Sequence, residues 1–542
     1  MRDKSGWFLL REPFYPVLVA LYAVLFLYSE NLSLVIDSDV LVITVAVLIV
    51  TAIVWAVAQL LLKNRHRAAA VATIWLLVLL GFGHVANLVW PQPDTANYPA
   101  LWVGFLIVAV LLTLLVRRAG GLQQFTVSFN VIALALLIMP VVQIMQYHTR
   151  QPAIISNAQA VSAASPRVVV NNDAQHPDVY YIILDGYSSN AHLLREWNYS
   201  NSAFTYALEE RGFLVAHEST ANYAATLASL PSSLNMRYLD ESERQPAPHL
   251  DVAYTRSLMA DSVVAQQFQD LGYSYIHIMS GFTVDSSIAD INIDIYPDGA
   301  HYFSSRDGER SVCSLTVTCS QKSFVPFFLS TTALLPVIET PLVANWLATY
   351  QTTADWSESQ PLEWSHPNRA LAIWDETEKI AAIPEATFTF SHIIKPHGPV
   401  IFDAAGNLHQ PDESRFFEQL EFVNQRTLDM VDRIIEQSSV PPIIIVQGDH
   451  GTDLGDVWND SHTHLVFFEI LNALYWPGLS EETIPRDITP VNTFRLLFNQ
   501  YFGGDFELLE SRHYDLPQGY DNLFNMVEVD LDEVISNPER YR

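Results

Sequence analysis

An aspartate and a histidine stand side by side between two glycines, in Gly448-Asp449-His450-Gly451. They follow residues 443–446, a run of β-branched residues that predicts a strand buried on both faces. Ligands of open α/β sheets bind at the carboxyl ends of strands, and an Asp–His pair suits a divalent metal. Because Gly-Asp pairs also mark polar turns, this stretch alone leaves a metal site and a plain turn equally open.

A second carboxylate and a threonine are candidates to join this pair. Asp185 follows a strand-like run at 179–184, so we expect it at the same sheet edge as Asp449 and His450. Thr226 lies where a loop enters a predicted helix. A hydroxyl there meets the positive end of the helix, which favours an anionic group. The alternative is that Thr226, or a nearby serine, only caps this helix.

Histidines near two strand ends complete the candidate set. His392, Lys395 and His397 follow one another around a predicted strand end, and His397 directly precedes Gly-Pro. His462 and His464 come shortly after the Asp-His pair. A single histidine is more often structural, but two histidines and a lysine at one strand end favour a functional cluster. We take His397 and His462 as the stronger candidates and His392, Lys395 and His464 as the weaker ones.

The elements that must position these residues alternate between strands and amphipathic helices. Strand-like runs occur at 179–184, 213–217, 273–279, 387–394, 443–446 and 465–474, and helical patterns at 254–270, 368–381, 413–437 and 489–502. Repeated β-α alternation predicts a mostly parallel sheet with helices on both faces. We therefore expect an α/β catalytic domain over residues 178–542.

The first part of the chain predicts a membrane domain. Five apolar runs, at roughly 12–30, 39–62, 69–90, 100–116 and 125–146, are long enough to span a bilayer. Lys and Arg precede the first run and lie in alternate loops, whereas the loops at 31–38 and 91–99 carry neither. The positive-inside rule then puts the N-terminus in the cytoplasm and everything after residue 147 outside. We expect a five-span domain over 1–146 and a linker over 147–177.

The composition agrees with a membrane part joined to an acidic part. The 542 residues carry a formal net charge of −30, yet half are hydrophobic and the mean hydropathy is +0.16. Nucleic-acid binding needs a basic face, so this class is excluded. Cys313 and Cys319 both fall in the outside domain, where oxidising conditions favour a local disulfide over a catalytic role.

Residues 323–348 are apolar but are not expected to form a sixth span. Three prolines and Glu339 interrupt the run, and a span here would put Asp185 and Asp449 on opposite sides of the membrane. We favour a buried helical hairpin of the outside domain. The alternative is an apolar flap that rests on the bilayer and admits a lipid substrate.

Together the motifs resemble the alkaline phosphatase/sulfatase superfamily. Four features occur in the order that is typical of that superfamily, over roughly 178–480. They are the strand before Asp185-Gly, the downstream Thr226, the His397-Gly-Pro turn and the strand before Gly-Asp449-His-Gly. Five spans followed by an outside domain resemble two of its membrane-anchored groups, the lipoteichoic acid synthases and the lipid A phosphoethanolamine transferases. The resemblance implies an alkaline phosphatase-like fold and enzymatic activity.

The resemblance also implies a cofactor and roles for the candidate residues. One divalent metal, Zn²⁺ or Mn²⁺, would be bound by Asp185, Thr226, Asp449 and His450. His397 and His462 would hold the substrate phosphate or a second metal. The transferases usually have Glu where this chain has Asp185, which puts the metal position in question. The cysteine form of the sulfatase motif, Cys-x-Pro-x-Arg, is absent, and its serine form occurs only at Ser365–Arg369 and Ser536–Arg540, not at the expected nucleophile Thr226, which argues against true sulfatase activity.

The chemistry expected of this set is phosphoryl transfer. A threonine hydroxyl is a weak nucleophile that a divalent cation activates, and a histidine can protonate the leaving alkoxide. We expect Thr226 to attack a phospholipid head group, phosphoglycerol or phosphoethanolamine, and to pass it to an envelope glycan or lipid. A hydrolase on the same site and a non-catalytic envelope protein are the alternatives. The expected location is the bacterial inner membrane, with the catalytic domain periplasmic or extracellular.

Overall fold

The computed structural model describes residues 11–32, 37–89, 97–163, 168, 176–296, 299–303, 328–329, 331–335, 366–452 and 467–536. The chain divides into two compact units. The membrane unit comprises Met1–Arg150 and Gln321–Ser357, and the outside unit comprises Gln151–Ser320 and Glu358–Arg542. The chain therefore enters the membrane unit twice.

The described part of the membrane unit contains five apolar helices. They are α1 (Tyr15–Ser29), α2 (Asp37–Leu62), α3 (Arg65–Val89), α4 (Tyr98–Arg118) and α5 (Thr126–Ala163). Four of them, α2 to α5, contain stretches long and apolar enough to cross a membrane, whereas α1 is shorter, with 15 residues. The prediction of apolar helices of membrane-spanning length is thus confirmed for four of the five.

Helix α5 continues beyond the fifth predicted apolar run. It ends only at Ala163, so the first half of the expected linker at 147–177 is helical. Small and polar residues at these positions lower the hydrophobicity of the segment but do not prevent helix formation.

The described part of the apolar segment 323–348 lies in the membrane unit. Ala333 and Leu335 pack there with Phe82 and Ala86 of α3. The expectation of a hairpin buried in the outside domain is therefore wrong for these residues. Local sequence could not show this, because apolar residues pack equally well in either unit.

The outside unit is built on an eight-stranded sheet. Its strands are β1 (Val179–Leu184), β2 (Leu214–Val215), β3 (Ser274–Ile278), β4 (Ile291–Tyr296), β5 (Gly299–Phe303), β6 (Thr387–Ile393), β7 (Ile443–Gly448) and β8 (Asn472–Tyr475). The strand order is β2-β8-β7-β1-β6-β3-β4-β5. The five central strands from β7 to β4 are parallel, and the outer strands β8, β2 and β5 pair antiparallel. The predicted, mostly parallel sheet is confirmed.

Helices cover both faces of the sheet. They are α6 (Asn190–Trp197), α7 (Ser202–Glu210), α8 (Thr226–Leu234), α9 (Pro248–Ala260), α10 (Val263–Asp270), α11 (Pro367–Lys379), α12 (Phe416–Gln437), α13 (Pro490–Tyr501) and α14 (Leu531–Ser536). The predicted helix at 254–270 is two helices, because Ser262 caps a new one with a hydrogen bond from the Ala265 amide. A short ribbon of β9 (Tyr514–Asp515) and β10 (Val527–Glu528) completes the unit.

Alternate residues of β1 show that both faces of the sheet are buried. Tyr180, Ile182 and Leu184 lie in a core cluster with Trp374 of α11 and Met430 of α12. On the opposite face, the rings of Tyr181 and Phe494 of α13 lie 4.9 Å apart. The continuous hydrophobic strands seen in the sequence therefore follow from burial between two helical layers.

Candidate active site

Three adjacent parallel strands deliver the candidate residues to one sheet edge. Leu184, the last residue of β1, pairs with Ile393 of β6 on one side and with Gly448 of β7 on the other. The next residues along β1 and β7 are Asp185 and Asp449. The two carboxylates therefore meet because their strands are neighbours that end in register.

Backbone amides hold the Asp449 carboxylate. The Gly186 and His450 amides donate to Asp449 Oδ1 at 3.0 Å and 2.9 Å. Gly448 has no room for a side chain, because a Cβ there would lie 2.4 Å from the Tyr187 carbonyl oxygen. Gly448 thus permits the close approach of the chain after β1 to the end of β7, directly before Asp449.

A buried histidine orients Asp185. His392 Nε2 lies 2.9 Å from Asp185 Oδ2, and His392 Nδ1 lies 3.1 Å from the Ser280 hydroxyl. The Asp185 amide also donates to the Ile393 carbonyl at 3.0 Å. Burial would raise the pKa of Asp185, but His397, His392 and His450 hold it below its ordinary value. Asp185 is thus an ionised carboxylate fixed by its neighbours.

His450 presents one ring nitrogen to both carboxylates. Its Nδ1 lies 2.8 Å from the Gly451 carbonyl oxygen, so Nδ1–H donates and Nε2 keeps its lone pair. Nε2 lies 3.5 Å from Asp449 Oδ2 and 3.7 Å from Asp185 Oδ1. Burial would lower the pKa of His450, but Asp449 and Asp185 raise it above its ordinary value.

These three side chains fit a divalent cation. One ligand atom from each of Asp185, Asp449 and His450 lies within 4.8 Å of the others. Asp185 Oδ1 and Asp449 Oδ2 are buried, and within the described ranges neither has a hydrogen-bond partner. Two buried carboxylate oxygens without donors are costly unless a cation neutralises them. Oxygen ligands with one imidazole nitrogen are a donor set that Zn²⁺ and Mn²⁺ accept.

Thr226 faces this cluster from the N-terminus of a helix. It is the first residue of α8, and Ala225, which makes no side-chain cap, occupies the capping position. The alternative in which Thr226 or a nearby serine caps this helix is therefore wrong. Its hydroxyl instead lies 3.2 Å from His450 Nε2. Ser229 binds the same helix to the strand end by donating to the Asp449 carbonyl at 2.6 Å.

The turn after β6 brings His397 to the same edge. The His397 amide donates to the Asp185 carbonyl at 3.0 Å, and the His397 and His450 rings lie 6.4 Å apart. Lys395 supports this turn, since its Nζ donates to the His397 and Pro399 carbonyls at 3.2 Å and 3.1 Å. Burial lowers the pKa of Lys395 to about 8, although Asp185 and Glu413 oppose the shift.

Several predicted residues lie outside the described part of the chain. They are His462, His464, Cys313 and Cys319. Within the described ranges, the structure brings together the set Asp185, Thr226, His392, His397, Asp449 and His450. Of the weaker candidates, His392 contacts Asp185 directly, whereas Lys395 braces the turn that carries His397.

Three residues at this edge were not identified from the sequence. Tyr520, in a 3₁₀ turn at Gly519–Asn522, interacts through its hydroxyl with the Thr226 hydroxyl. Its pKa is raised by burial of the hydroxyl and by the charges of Asp185 and Asp449, although the whole side chain is 42 % exposed. The Phe282 ring lies 6.4 Å from Tyr520 and 5.2 Å from the buried Arg256 guanidinium. No motif marks these residues, because they come from separate loops and helices.

Structural comparison finds similar solved proteins at low sequence identity. The C-terminal periplasmic domain of EcEptC from Escherichia coli is 10 % identical, with a TM-score of 0.38; the match covers 69 % of this chain and 99 % of that one. The integral membrane lipooligosaccharide phosphoethanolamine transferase A (EptA) from Neisseria meningitidis is 11 % identical, with a TM-score of 0.33; the match covers 89 % and 92 %. A protein in the alkaline phosphatase superfamily from Vibrio parahaemolyticus is 10 % identical, with a TM-score of 0.37; the match covers 67 % and 81 %.

These matches include the superfamily and the transferase group that the sequence motifs resemble. No protein-family model and no curated protein matches the chain. At such identities and TM-scores, function has to be argued from the site itself.

Proposed function

We propose that this protein is a membrane-anchored, metal-dependent phosphotransferase. It moves a phospholipid head group, phosphoglycerol or phosphoethanolamine, onto a cell-envelope glycan or lipid through a phospho-threonine intermediate. Zn²⁺ or Mn²⁺ is the expected cofactor. If water takes the place of the acceptor, the same site acts as a phosphodiesterase.

The observation that carries this proposal is the position of Thr226. A buried hydroxyl at a helix N-terminus lies 3.2 Å from His450 Nε2, beside two buried carboxylates that each have an oxygen without a donor among the described residues. A threonine that served only the fold would be satisfied by a carbonyl or would cap its helix. A hydroxyl aimed at a cluster of metal-binding groups instead fits an activated nucleophile.

Asp185, Asp449, His450 and Thr226 would hold the cation. Bound there, it would lower the pKa of the Thr226 hydroxyl and offset negative charge on the phosphoryl oxygens. His392 fixes the orientation of Asp185, and the Gly186 amide fixes Asp449. These contacts preorganise the site, because neither carboxylate has to reorient when charge develops.

The first chemical step joins Thr226 to the phosphorus. The Thr226 proton leaves to solvent, a bond forms between Oγ1 and phosphorus, and the bond from phosphorus to the diacylglycerol oxygen breaks. We assign to His397, whose ring lies 6.4 Å from that of His450, the donation of a proton to the leaving alkoxide. We assign the phosphate-binding role jointly to His397 and His462, as the resemblance implies.

The second step regenerates the enzyme. An acceptor hydroxyl attacks the phosphorus and the Oγ1–phosphorus bond breaks. His397 takes up the acceptor proton, and the Thr226 oxygen regains a proton from solvent. The apolar helices favour a lipid as donor, since a lipid cannot leave the bilayer to reach a free enzyme. The charges of the loops favour a cytoplasmic N-terminus and an outside domain beyond the inner membrane.

The test is diacylglycerol release from phospholipid vesicles by the purified full chain with added Zn²⁺ or Mn²⁺. Thr226→Ala should reduce release to background, while the protein should still bind metal through the three remaining ligands. Thr226→Ser keeps the hydroxyl and should retain part of the activity. Undiminished release by Thr226→Ala would refute the proposal.

A further inference from the structure

The apolar segment between β5 and α11 returns to the membrane unit. Its described residues, 328–329 and 331–335, belong to that unit, whereas β5 and α11 belong to the outside unit. The chain therefore leaves the outside unit, packs among membrane helices and comes back. Neither of the interpretations drawn from the sequence, a hairpin in the outside domain or a flap on the bilayer surface, describes this arrangement.

The segment is hydrogen-bonded to the backbone of helix α3. The Ala333 amide donates to the Leu79 carbonyl at 2.6 Å, and the Gly83 amide donates to the Thr331 carbonyl at 2.9 Å. Leu79 and Gly83 are four residues apart, so both bonds fall on one turn of the helix. The Trp102 indole of α4 adds a third bond, to the Ala333 carbonyl at 3.2 Å.

The segment also satisfies its own polar groups. The amides of Thr331, Thr332 and Leu335 donate to carbonyls three residues earlier in the chain, at 3.0–3.1 Å. The hydroxyls of Thr331 and Thr332 donate to the Phe328 and Leu329 carbonyls, each at 2.7 Å. Non-helical backbone is tolerated within a bilayer only where protein pairs its polar groups. This pairing suits a hydrocarbon environment rather than a water-exposed surface loop.

The burial of the side chains also indicates a hydrocarbon environment. Ala333 and Leu335 are buried with Phe82 and Ala86, and Trp102 packs against this cluster. Leu334, between them, is 44 % exposed, so the outward-facing side chain there is apolar. An apolar side chain that faces outward beside membrane helices is suited to contact with lipid.

The depth of the segment follows from helix geometry. Leu79 precedes Val89, the last residue of α3, by about ten residues, which is about 15 Å along the helix. The hydrocarbon core of a bilayer is about 30 Å thick. A segment bonded at Leu79 therefore reaches about half-way through the membrane from the side on which α3 ends.

We propose that residues 328–329 and 331–335 belong to a re-entrant membrane segment, held by α3 and α4, that anchors the outside unit to the bilayer at a second point. The first point is the continuous chain after α5. A unit tied at two points samples a smaller volume than a unit tied at one, which raises its effective concentration toward membrane-bound substrate. This functional consequence rests on the proposed function, whereas the position of the segment does not.

The position is tested by disulfide crosslinking of the full chain in native membranes. Both native cysteines are first replaced by serine, and Phe82→Cys is combined with Ala333→Cys. We expect this pair to crosslink on oxidation, as read by mass spectrometry of the linked peptides. The control pair, Ala333→Cys with Leu111→Cys, should not crosslink, because Leu111 is a 55 % exposed residue of α4 outside the cluster. Absence of the first crosslink, with labelling of the Ala333→Cys variant by a membrane-impermeant maleimide, would overturn the proposal.

The functional consequence is tested with two neighbouring substitutions. Ala333→Trp overpacks the buried contact with α3, whereas Leu334→Trp adds volume at the exposed position. We expect Ala333→Trp to lower diacylglycerol release from vesicles by at least about tenfold, with hydrolysis of the water-soluble bis(p-nitrophenyl) phosphate unchanged. Leu334→Trp should change neither. An equal loss of activity on both substrates would contradict the anchoring role. If the unmodified protein turns over neither substrate, the proposed function is contradicted, and the crosslink still decides the position of the segment.

Discussion

Replacing His392 with phenylalanine would remove the side chain that orients Asp185. His392 is fully buried at the end of β6 and bridges the Ser280 hydroxyl and Asp185 Oδ2, at 3.1 Å and 2.9 Å. Phenylalanine preserves most of the volume and keeps an aromatic ring beside Phe282, whose centroid lies 6.1 Å from the histidine ring. The change therefore removes two hydrogen bonds with little change in packing.

The expected magnitude comes from the hydrogen bond to a charged group. Such a bond contributes about 1.5–3 kcal/mol, and about 1.4 kcal/mol corresponds to tenfold in affinity. His392→Phe should thus weaken metal affinity by about 10- to 100-fold, as removal of groups that orient metal ligands typically does. The pKa of Asp185 should also rise, because burial raises it and one of the histidines that lower it is gone. On acidification the variant should therefore release metal at a higher pH than the unmodified protein.

The assay is competition with a chromophoric chelator for Zn²⁺, on the full chain in detergent. His392→Gln, which can still donate to Asp185, should recover part of the loss. His217→Gln is the matched control, since His217 is an exposed histidine of the outside unit that pairs with Glu209 at 3.1 Å. Metal affinity of His392→Phe within twofold of that of the control would refute the assigned role of His392.

Two further changes test other parts of the account. Tyr520→Phe removes the hydroxyl that interacts with Thr226. Loss of one neutral hydrogen bond should lower kcat by about 3- to 10-fold, with metal content unchanged. An unaltered kcat would contradict a role of Tyr520 at the nucleophile. Glu469→Gln tests pH-dependent stability. Burial raises the pKa of Glu469, but His192 and Arg195 lower it from 4.5 to about 2, so its stabilisation is present above pH 4.5 and is lost as the pH falls toward about 2. Because Arg195 is partly exposed, we expect the variant to be less stable than the unmodified protein by about 1–3 kcal/mol at pH 7. Thermal unfolding should show this difference shrink by pH 3, and a constant difference would contradict the assignment.

The sheet edge was predictable because strand ends carry strong local signals. The β-branched run before Asp449 and the apolar run before Asp185 predict strands, and parallel strands present their carboxyl ends together. The apolar runs likewise predicted the long apolar helices of the membrane unit. In both cases the signal lies within a few residues of the feature that it predicts.

Other features depend on contacts that local sequence does not encode. His392 is a weak candidate from sequence because its partner, Asp185, lies 207 residues away in the chain. Tyr520 and Arg256 reach the site from a turn and a helix whose sequences are ordinary. The sequence correctly places Thr226 at a helix start, but only the fold distinguishes a capping hydroxyl from one that faces His450.

The apolar segment 323–348 illustrates the same limit in the membrane unit. Its composition is compatible with a buried hairpin, a surface flap or a re-entrant segment, because each of them buries apolar side chains. The distinguishing observation is the pairing of its backbone with Leu79 and Gly83 of α3. Hydrogen bonds between residues so distant in the chain leave no pattern in either stretch.

The most direct test of the central claim is the mass of the protein trapped during turnover. The full chain is mixed with a phosphatidylethanolamine or phosphatidylglycerol donor in the absence of acceptor, quenched in acid, digested and sequenced by mass spectrometry. We predict a head-group phosphodiester on Thr226, absent from Thr226→Ala and present in Thr226→Ser. Diacylglycerol release without any modification, or modification of Ser229, Ser232 or Ser233 instead, would contradict a threonine-centred transfer.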